Sequence, residues 1–169
     1  MSTIVLRPAV PTDSPKILAL IQALADYEKE PDAVLATEAH LQATLFADSP
    51  KVHGVMAELE GVVVGFAVYF YNYSTWLGQH GLYLEDLFVE PDSRGEGVGL
   101  ALLRHLAAKA VSEGCGRFEW MVLDWNTPAI DFYRAAGAVP MDEWTVYRLS
   151  GQALSRFAEG ASQEEGSHA

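Results

Sequence analysis

The stretch LYLEDLFVEPDSRGEGVGLALLRHLAAKAV, residues 82–111, decides the fold of this chain. It begins as an apolar strand that one acidic pair, Glu85 and Asp86, interrupts. A turn and three glycines within residues 95–99 follow, and a helical apolar pattern begins directly after them. The N–H groups and the dipole at a helix N-terminus favour an anion, and glycines let the backbone approach it. The stretch therefore predicts a strand, loop and helix that bind an anionic group.

The glycine spacing limits the kind of anion. The run is R-G-x-G-x-G from Arg94 to Gly99, which matches neither the nucleotide P-loop nor the dinucleotide-binding G-x-G-x-x-G. An ordinary tight turn between a strand and a helix would also use glycines. The loop alone leaves both alternatives open.

Composition excludes several classes of protein. With 169 residues, 50% hydrophobic and 20% charged, the chain is predicted to be globular. The net charge of −12 argues against a nucleic-acid partner; it suits either attraction of cationic small molecules or solubility alone. The start lacks a signal-peptide pattern, the apolar stretch 62–70 is too short to span a bilayer, and Cys115, the only cysteine, cannot form an internal disulfide. We predict a cytoplasmic location and no membrane partner.

The order of elements predicts an α/β fold, β-α-α-β-β-β-α-β-α-β, with one mixed sheet and helices on both faces. The first half is predicted as a strand over Thr3–Leu6, helices over Ser14–Tyr27 and from Thr37, strands over Val52–Leu59 and Val62–Tyr73, and a loop over Ser74–Gly81. The second half is predicted as a strand over Arg117–Leu123, a short helix that Thr127 caps and Gly137 ends, and final strands over Val139–Met141 and Trp144–Leu149. Residues 1–154 are predicted to form one domain and residues 155–169 a mobile tail.

Carboxylates crowd the end of the first predicted helix. Asp26, Glu28, Glu30 and Asp32 lie where the helix dipole is already negative. Such a collection is typical of a site for a cation, and a solvated acidic loop is the alternative.

Two motifs in the right order resemble the GCN5-related N-acetyltransferase (GNAT) family. The glycine run is similar to that family's pyrophosphate loop, and DWNTPAIDFYRAAGA, residues 124–138, resembles its W-N-x-x-A-x-x-F-Y-x-x-x-G-A segment. The match is closest to the diamine (spermidine/spermine-type) and thialysine N-acetyltransferases, through VLRPA (5–9), LADYE (24–28) and YLEDLFV (83–89). The resemblance implies the acyl-CoA N-acyltransferase fold, acetyl-CoA as co-substrate, no metal, a small cationic amine as acceptor, and a homodimer.

The resemblance also implies roles for individual residues. Glu85 and Tyr133 would be catalytic, Glu85 as the base that faces the amine and Tyr133 near the cofactor sulfur. Cofactor contacts would come from Leu87, Phe88, Val89, Arg94, Gly95, Glu96, Gly97, Val98, Gly99, Leu100, Asn126, Thr127, Pro128, Ala129 and Tyr133. Acceptor contacts would come from Tyr27, Glu28, Trp76, Glu85, Asp86, Glu119, Trp120 and Met121.

The chemistry suits these residue types. An alkyl amine has a pKa near that of lysine, about 10.4, so a base must remove its proton before it can attack a thioester. Tyr133 can protonate the leaving thiolate, and a strand bulge near Leu87 or Phe88 could present an N–H to the oxyanion. Because Cys115 lies outside every motif, direct transfer in a ternary complex is expected. His80, in the predicted loop, is a further candidate for proton transfer.

The sequence departs from the polyamine enzymes at one position. Ser74 stands where they have an aspartate two residues before the loop tryptophan, so a carboxylate for a distal ammonium is missing. A shorter diamine or a lysine-like amino acid fits as well as a polyamine. A protein or peptide N-acetyltransferase and a catalytically silent acetyl-CoA-binding domain are the alternatives.

Overall fold

A computed structural model describes residues 1–166, with side chains as far as Gly160. Five strands and five α-helices lie along these residues. They are β1 (Ile4–Pro8), α1 (Ser14–Tyr27), α2 (Glu38–Thr44), β2 (His53–Leu59), β3 (Val62–Ser74), β4 (Gln79–Val89), α3 (Val98–Ser112), β5 (Phe118–Trp120), α4 (Thr127–Ala135) and α5 (Gly151–Gly166).

The strands form one mixed sheet in the order β1-β2-β3-β4-β5. The pairs β1–β2, β2–β3 and β3–β4 are antiparallel. β5 runs parallel to β4 through pairs such as Leu82 with Phe118. α3 connects these two parallel strands. The predicted α/β fold with a mixed sheet is therefore confirmed.

Helices cover both faces of this sheet. Met56, Phe66 and Phe88 lie side by side on β2, β3 and β4, and they pack with α1 and α2 in one buried cluster. Side chains alternate between faces along a strand, so Tyr69 lies on the opposite face from Phe66. Lys109 of α3 lies over the Tyr69 ring, which places α3 on that second face. The predicted apolar face of α3 is buried at Leu102, Leu103, Leu106 and Ala110.

An ion-pair cluster fixes the start of α1 to the sheet. Arg7 of β1 donates hydrogen bonds of 2.7 and 2.9 Å to the two carboxylate oxygens of Asp13, and one of 2.7 Å to Glu58 of β2. The hydrogen bonds from Arg7 hold the pKa of the Asp13 carboxyl below its usual range. The cluster ties together two strands and the start of α1.

The structure corrects several predicted boundaries. β4 begins at Gln79, so the predicted Ser74–Gly81 loop is a short turn and His80 lies in a strand, paired with Tyr73. The strand predicted over Arg117–Leu123 is only three residues long, because its ladder ends at Leu84, directly before a bulge in β4.

The final strands over Val139–Met141 and Trp144–Leu149 are wrong for the described structure. These residues have strand-forming side chains, but they join no ladder, and strand propensity alone does not hold a strand without a partner. A helix, α5, follows them, and it covers the described part of the predicted tail; the last residues of that tail lie outside the described residues.

The chain divides into two compact units, residues 1–125 and residues from Asn126 onward. The sheet, α1, α2 and α3 belong to the first unit, and α4 and α5 to the second. No helix within residues 1–166 is both long and apolar enough to cross a membrane.

Candidate active site

A β-bulge interrupts β4 at Glu85. Val68 of β3 pairs with Asp86 and Tyr69 pairs with Leu84, so Glu85 is the extra residue and has no cross-strand partner. The prediction of a bulge near Leu87 or Phe88 was wrong in position. No change of period in the sequence marks the bulge, since buried side chains stay at even-numbered positions on both sides of it, at Leu82, Leu84 and Phe88. The bulge leaves Glu85 exposed rather than pointing into the core.

Asp86 carries the most perturbed carboxylate near the bulge. Its side chain lies on the face that carries Phe88, and burial raises its pKa to about 6, with the negative charges of Glu85 and Glu28 adding to the shift. Burial also raises the pKa of Glu28, the residue that follows α1. The acidic end of α1 therefore acts electrostatically on the bulged segment of β4.

Further polar side chains lie on the same face of the sheet, toward β5. Glu119 forms an ion pair of 2.8 Å with Arg117 and accepts a hydrogen bond of 3.2 Å from the Asn72 amide. Burial raises the pKa of Tyr83, and the charges of Glu85 and Glu119 raise it further. Sequence reasoning missed Tyr83 and Asn72. Gly81 pairs with Asn72, and a Cβ at Gly81 would lie 2.3 Å from the amide oxygen of Asn72; this pairing follows from the register and is not evident in the sequence.

The other predicted acceptor residues have different surroundings. Trp76 lies in the β3–β4 turn with 89% of its surface exposed, and Met121 is also exposed. Trp120 packs edge-on against Phe118 at 4.9 Å, and His80 packs against Tyr73. The bulged segment of β4 thus has four carboxylates around it, those of Glu28, Glu85, Asp86 and Glu119. Trp76 lies apart from them in the exposed turn between β3 and β4.

The glycine loop forms the predicted link between β4 and α3. Gly95 and Gly97 have φ values of 83° and 85°, a left-handed conformation that favours glycine, and Gly97 is the N-cap of α3. A Cβ at either position would meet nothing within 4 Å, so backbone conformation rather than crowding requires glycine there. Gly99 differs, since it lies within α3 with an ordinary helical backbone. The first N–H groups of a helix have no partner within the helix, and this end of α3 can receive an anionic group.

The predicted W-N segment lies in the second unit from Asn126 onward, and its Trp125 is the last residue of the first unit. Asn126, not Thr127, caps α4, and its side chain accepts a hydrogen bond of 3.4 Å from Ala129. Asparagine is among the best N-cap residues, and Pro128 needs no N–H partner in the first turn. Tyr133 packs edge-on with Phe132 at 5.7 Å, and Gly137 ends the helix with a φ of 91° as predicted.

Among the residues that the structure describes, no group of three or more His, Cys, Asp or Glu side chains is arranged to hold a metal ion. The carboxylates near the bulge come from β4, from β5 and from the end of α1, and they differ in burial.

Comparison with known proteins identifies the fold and the activity together. The model of the acetyltransferase (GNAT) family matches residues 17–138. The thialysine N-epsilon-acetyltransferase of Bos taurus is 37% identical over 169 residues, covering 94% of this chain and 99% of the relative. An L-ornithine N5-acetyltransferase of Arabidopsis thaliana is 34% identical, covering 88% of this chain and 85% of the relative.

The solved structures agree. An integron cassette protein from V. cholerae superposes with a TM-score of 0.77 at 28% identity, covering 92% of this chain and 97% of the other. The strand, glycine loop and helix at residues 82–111 lie inside the matched family region. The chain therefore belongs to the GNAT family and is an acetyl-CoA-dependent N-acetyltransferase.

Proposed function

We propose that the acceptor is the primary amine of a small cationic molecule: a diamine, a polyamine or a lysine-like amino acid. The observation that carries this proposal is the group of carboxylates at the β4 bulge. Glu85 is exposed there, and Asp86 is half-buried beside it. The negative charge of Glu28 raises the pKa of Asp86. Such a group attracts an ammonium ion and stabilises it once the ion is desolvated.

The relatives support the same acceptor class. Thialysine and ornithine, the acceptors in the names of two relatives, are amino acids with a terminal amine. Ser74 favours the shorter acceptors, because it is buried and its Oγ accepts a hydrogen bond of 3.2 Å from the backbone of Leu77. A serine engaged in the turn in this way does not supply a negative charge to a distal ammonium.

The donor side fits the pyrophosphate of acetyl-CoA. The left-handed glycines and the first N–H groups of α3 present donors to an anion, and the space beside Gly95 and Gly97 is open. Residues 94–100 would hold the pyrophosphate, residues 87–89 the pantetheine arm, and residues 126–129 further parts of the molecule. When bound, acetyl-CoA supplies the acetyl thioester.

We propose that Glu85 accepts the proton of the acceptor ammonium, directly or through a water, so that the amine nitrogen can bond to the acetyl carbon. As the carbon–sulfur bond breaks, the Tyr133 hydroxyl would give its proton to the sulfur. The second proton that the amine nitrogen loses in forming the amide would restore the Tyr133 hydroxyl through solvent. The bulge takes Glu85 out of the ladder, so a backbone N–H there is the candidate donor to the oxyanion. Transfer is direct, within a ternary complex.

We also propose that the enzyme is a cytoplasmic homodimer. Trp144, Val146 and Tyr147 are 69% to 94% exposed, an apolar group of the kind that interfaces cover. Light scattering coupled to size-exclusion chromatography would return the dimer mass if this is right and the monomer mass if it is wrong.

The acceptor proposal is tested by free-thiol release from acetyl-CoA with a panel of lysine, ornithine, thialysine, short diamines, spermidine and a basic peptide. We expect fast release with the short diamines or the lysine-like amino acids. Release with the peptide alone would favour the protein acetyltransferase alternative. No release with any amine, while acetyl-CoA binds tightly, would favour the silent domain.

A further inference from the structure

Arg94, the first residue of the glycine loop, contacts both substrate sides of the proposed site. Its Nε donates a hydrogen bond of 3.0 Å to the carbonyl of Val89, at the end of β4. Its guanidinium carbon lies 5.0 Å from the centre of the Tyr27 ring and 5.4 Å from that of Phe88. Both distances are within the range of a cation–π contact. The side chain therefore joins the donor strand to the last residue of α1.

Tyr27 is held from a second side as well. Its ring lies 6.1 Å from that of Trp125, and the Lys29 ammonium lies 4.2 Å above the same Trp125 ring. Lys29 has a φ of 64°, unusual for a residue other than glycine, at the point where the chain leaves α1. Contacts thus run without a break from Arg94 through the tilted Tyr27 and Trp125 rings to Lys29, and they hold the backbone on both sides of Glu28.

We propose that Arg94 is a positioning residue for the acceptor amine, which it serves by holding the Tyr27 ring and, with it, the acidic end of α1. The inference rests on the proposed function, in which Tyr27 and Glu28 contact the acceptor. It adds to Arg94 a role that its place in a pyrophosphate loop does not imply. A planar guanidinium can donate from Nε and stack on an aromatic ring at the same time, which a lysine ammonium cannot do.

A double-mutant cycle on the full chain tests the proposal. Arg94→Met keeps the length of the side chain and removes its charge, and Tyr27→Leu removes the ring that the charge faces. At saturating acetyl-CoA, we expect Arg94→Met to raise the KM for the best amine by about threefold to tenfold, the range of a cation–π contact. In the Tyr27→Leu background the same change should have little further effect.

Two variants act as matched controls. Tyr27→Phe keeps the ring, so Arg94→Met should raise the amine KM as much in that background as in the wild type. Arg94→Lys keeps a cation near the ring and should restore part of the loss. Circular dichroism and the KM for acetyl-CoA are recorded for every variant, and Arg94→Lys takes the place of Arg94→Met in the cycle if the latter does not fold.

An equal rise in the amine KM in the wild-type and Tyr27→Leu backgrounds would overturn the inference. A rise confined to the KM for acetyl-CoA would also overturn it, because Arg94 would then serve the pyrophosphate alone. If the wild-type chain turned over no amine, the proposed function would fail and this inference with it. The first two outcomes, with an active wild type, contradict the inference alone.

Discussion

At the scale of single residues, two adjacent carboxylates in β4 have different environments. Glu85 is exposed at the bulge, and Asp86 is half-buried on the face toward α1. A bulge re-aims the side chains beside it, and here it puts two neighbouring carboxylates in separate positions. In the proposed reaction, Glu85 would exchange a proton and Asp86 would hold negative charge beside the acceptor.

Glu85→Gln should lower kcat by about 10²-fold to 10⁴-fold, the usual contribution of a general base. Without this base the amine must lose its proton to solvent, so the remaining activity should rise with pH over a wider range than in the wild type. The dependence of kcat/KM on pH measures this. Glu30→Gln, at an exposed site in the acidic loop, is the control, and a profile for Glu85→Gln that matches the wild type would point to another base.

Asp86→Asn should make the protein more stable near neutral pH and bind the amine less well. The pKa of Asp86 is raised from 3.8 to about 6, so the folded state resists its ionisation. The native carboxylate therefore contributes most stability below about pH 3.8, and that contribution is lost as the pH rises through about 6. The asparagine variant should gain up to about 3 kcal/mol in free energy of unfolding at neutral pH and almost nothing in acid.

Urea unfolding at the two pH values, with the amine KM measured in parallel, checks this. Asp142→Asn, at an exposed position, serves as the control. An unchanged free energy of unfolding for Asp86→Asn at neutral pH would show that Asp86 does not experience the burial described above.

Tyr133→Phe should lower kcat by about 10²-fold to 10⁴-fold, because the leaving thiolate would lose its proton donor. The ring remains, so the edge-on contact with Phe132 and the affinity for acetyl-CoA should be nearly unchanged. Single-turnover rates and calorimetric titration with CoA separate the two effects. A wild-type chemical rate in this variant would remove Tyr133 as the acid.

At the scale of elements, the glycine loop joins a strand end to a helix start through two left-handed residues. Gly97→Ala should lower the free energy of unfolding by about 1 kcal/mol, since alanine pays to adopt a φ of 85°, and it should raise the KM for acetyl-CoA. Gly99→Ala is the matched control, because its helical backbone and its 3.9 Å Cβ contact accept alanine. Equal destabilisation by both changes would show that the left-handed conformation is not what requires glycine.

Helices with a strong apolar period were predictable from the sequence, whereas features that depend on how the strands pair were not. The stripe of α1 and the face of α3 are local, so Ser14–Tyr27 was predicted with the bounds that the structure has. The bulge at Glu85 depends on the register between β3 and β4, and the early end of β5 depends on that bulge. Asn126 and Thr127 are both capping residues, and only the backbone decides between them.

At the scale of the whole molecule, one side of the sheet carries a continuous apolar core that changes to a polar group toward β5. Met56, Phe66 and Phe88 lie beneath α1 and α2, and Asp86 and Glu119 lie beyond the end of that cluster. The glycine loop follows β4 directly, so β4 leads from the proposed acceptor site at its bulge to the proposed acetyl-CoA site at the loop. The order of elements from β1 to α4 was predictable from the sequence, but α5 in place of the final strands was not. The division into two compact units was not predictable either, because no linker separates them.

The proposed acceptor class is tested most directly by identifying the product of one competition reaction. The chain is incubated with acetyl-CoA and an equimolar mixture of ornithine, lysine, thialysine, a short diamine, spermidine and a basic peptide, and the products are identified by mass spectrometry. We predict that the wild-type chain acetylates a small amine on its terminal nitrogen and that Glu85→Gln does so far more slowly. Acetylation of the peptide alone, or of nothing in the mixture, would contradict it.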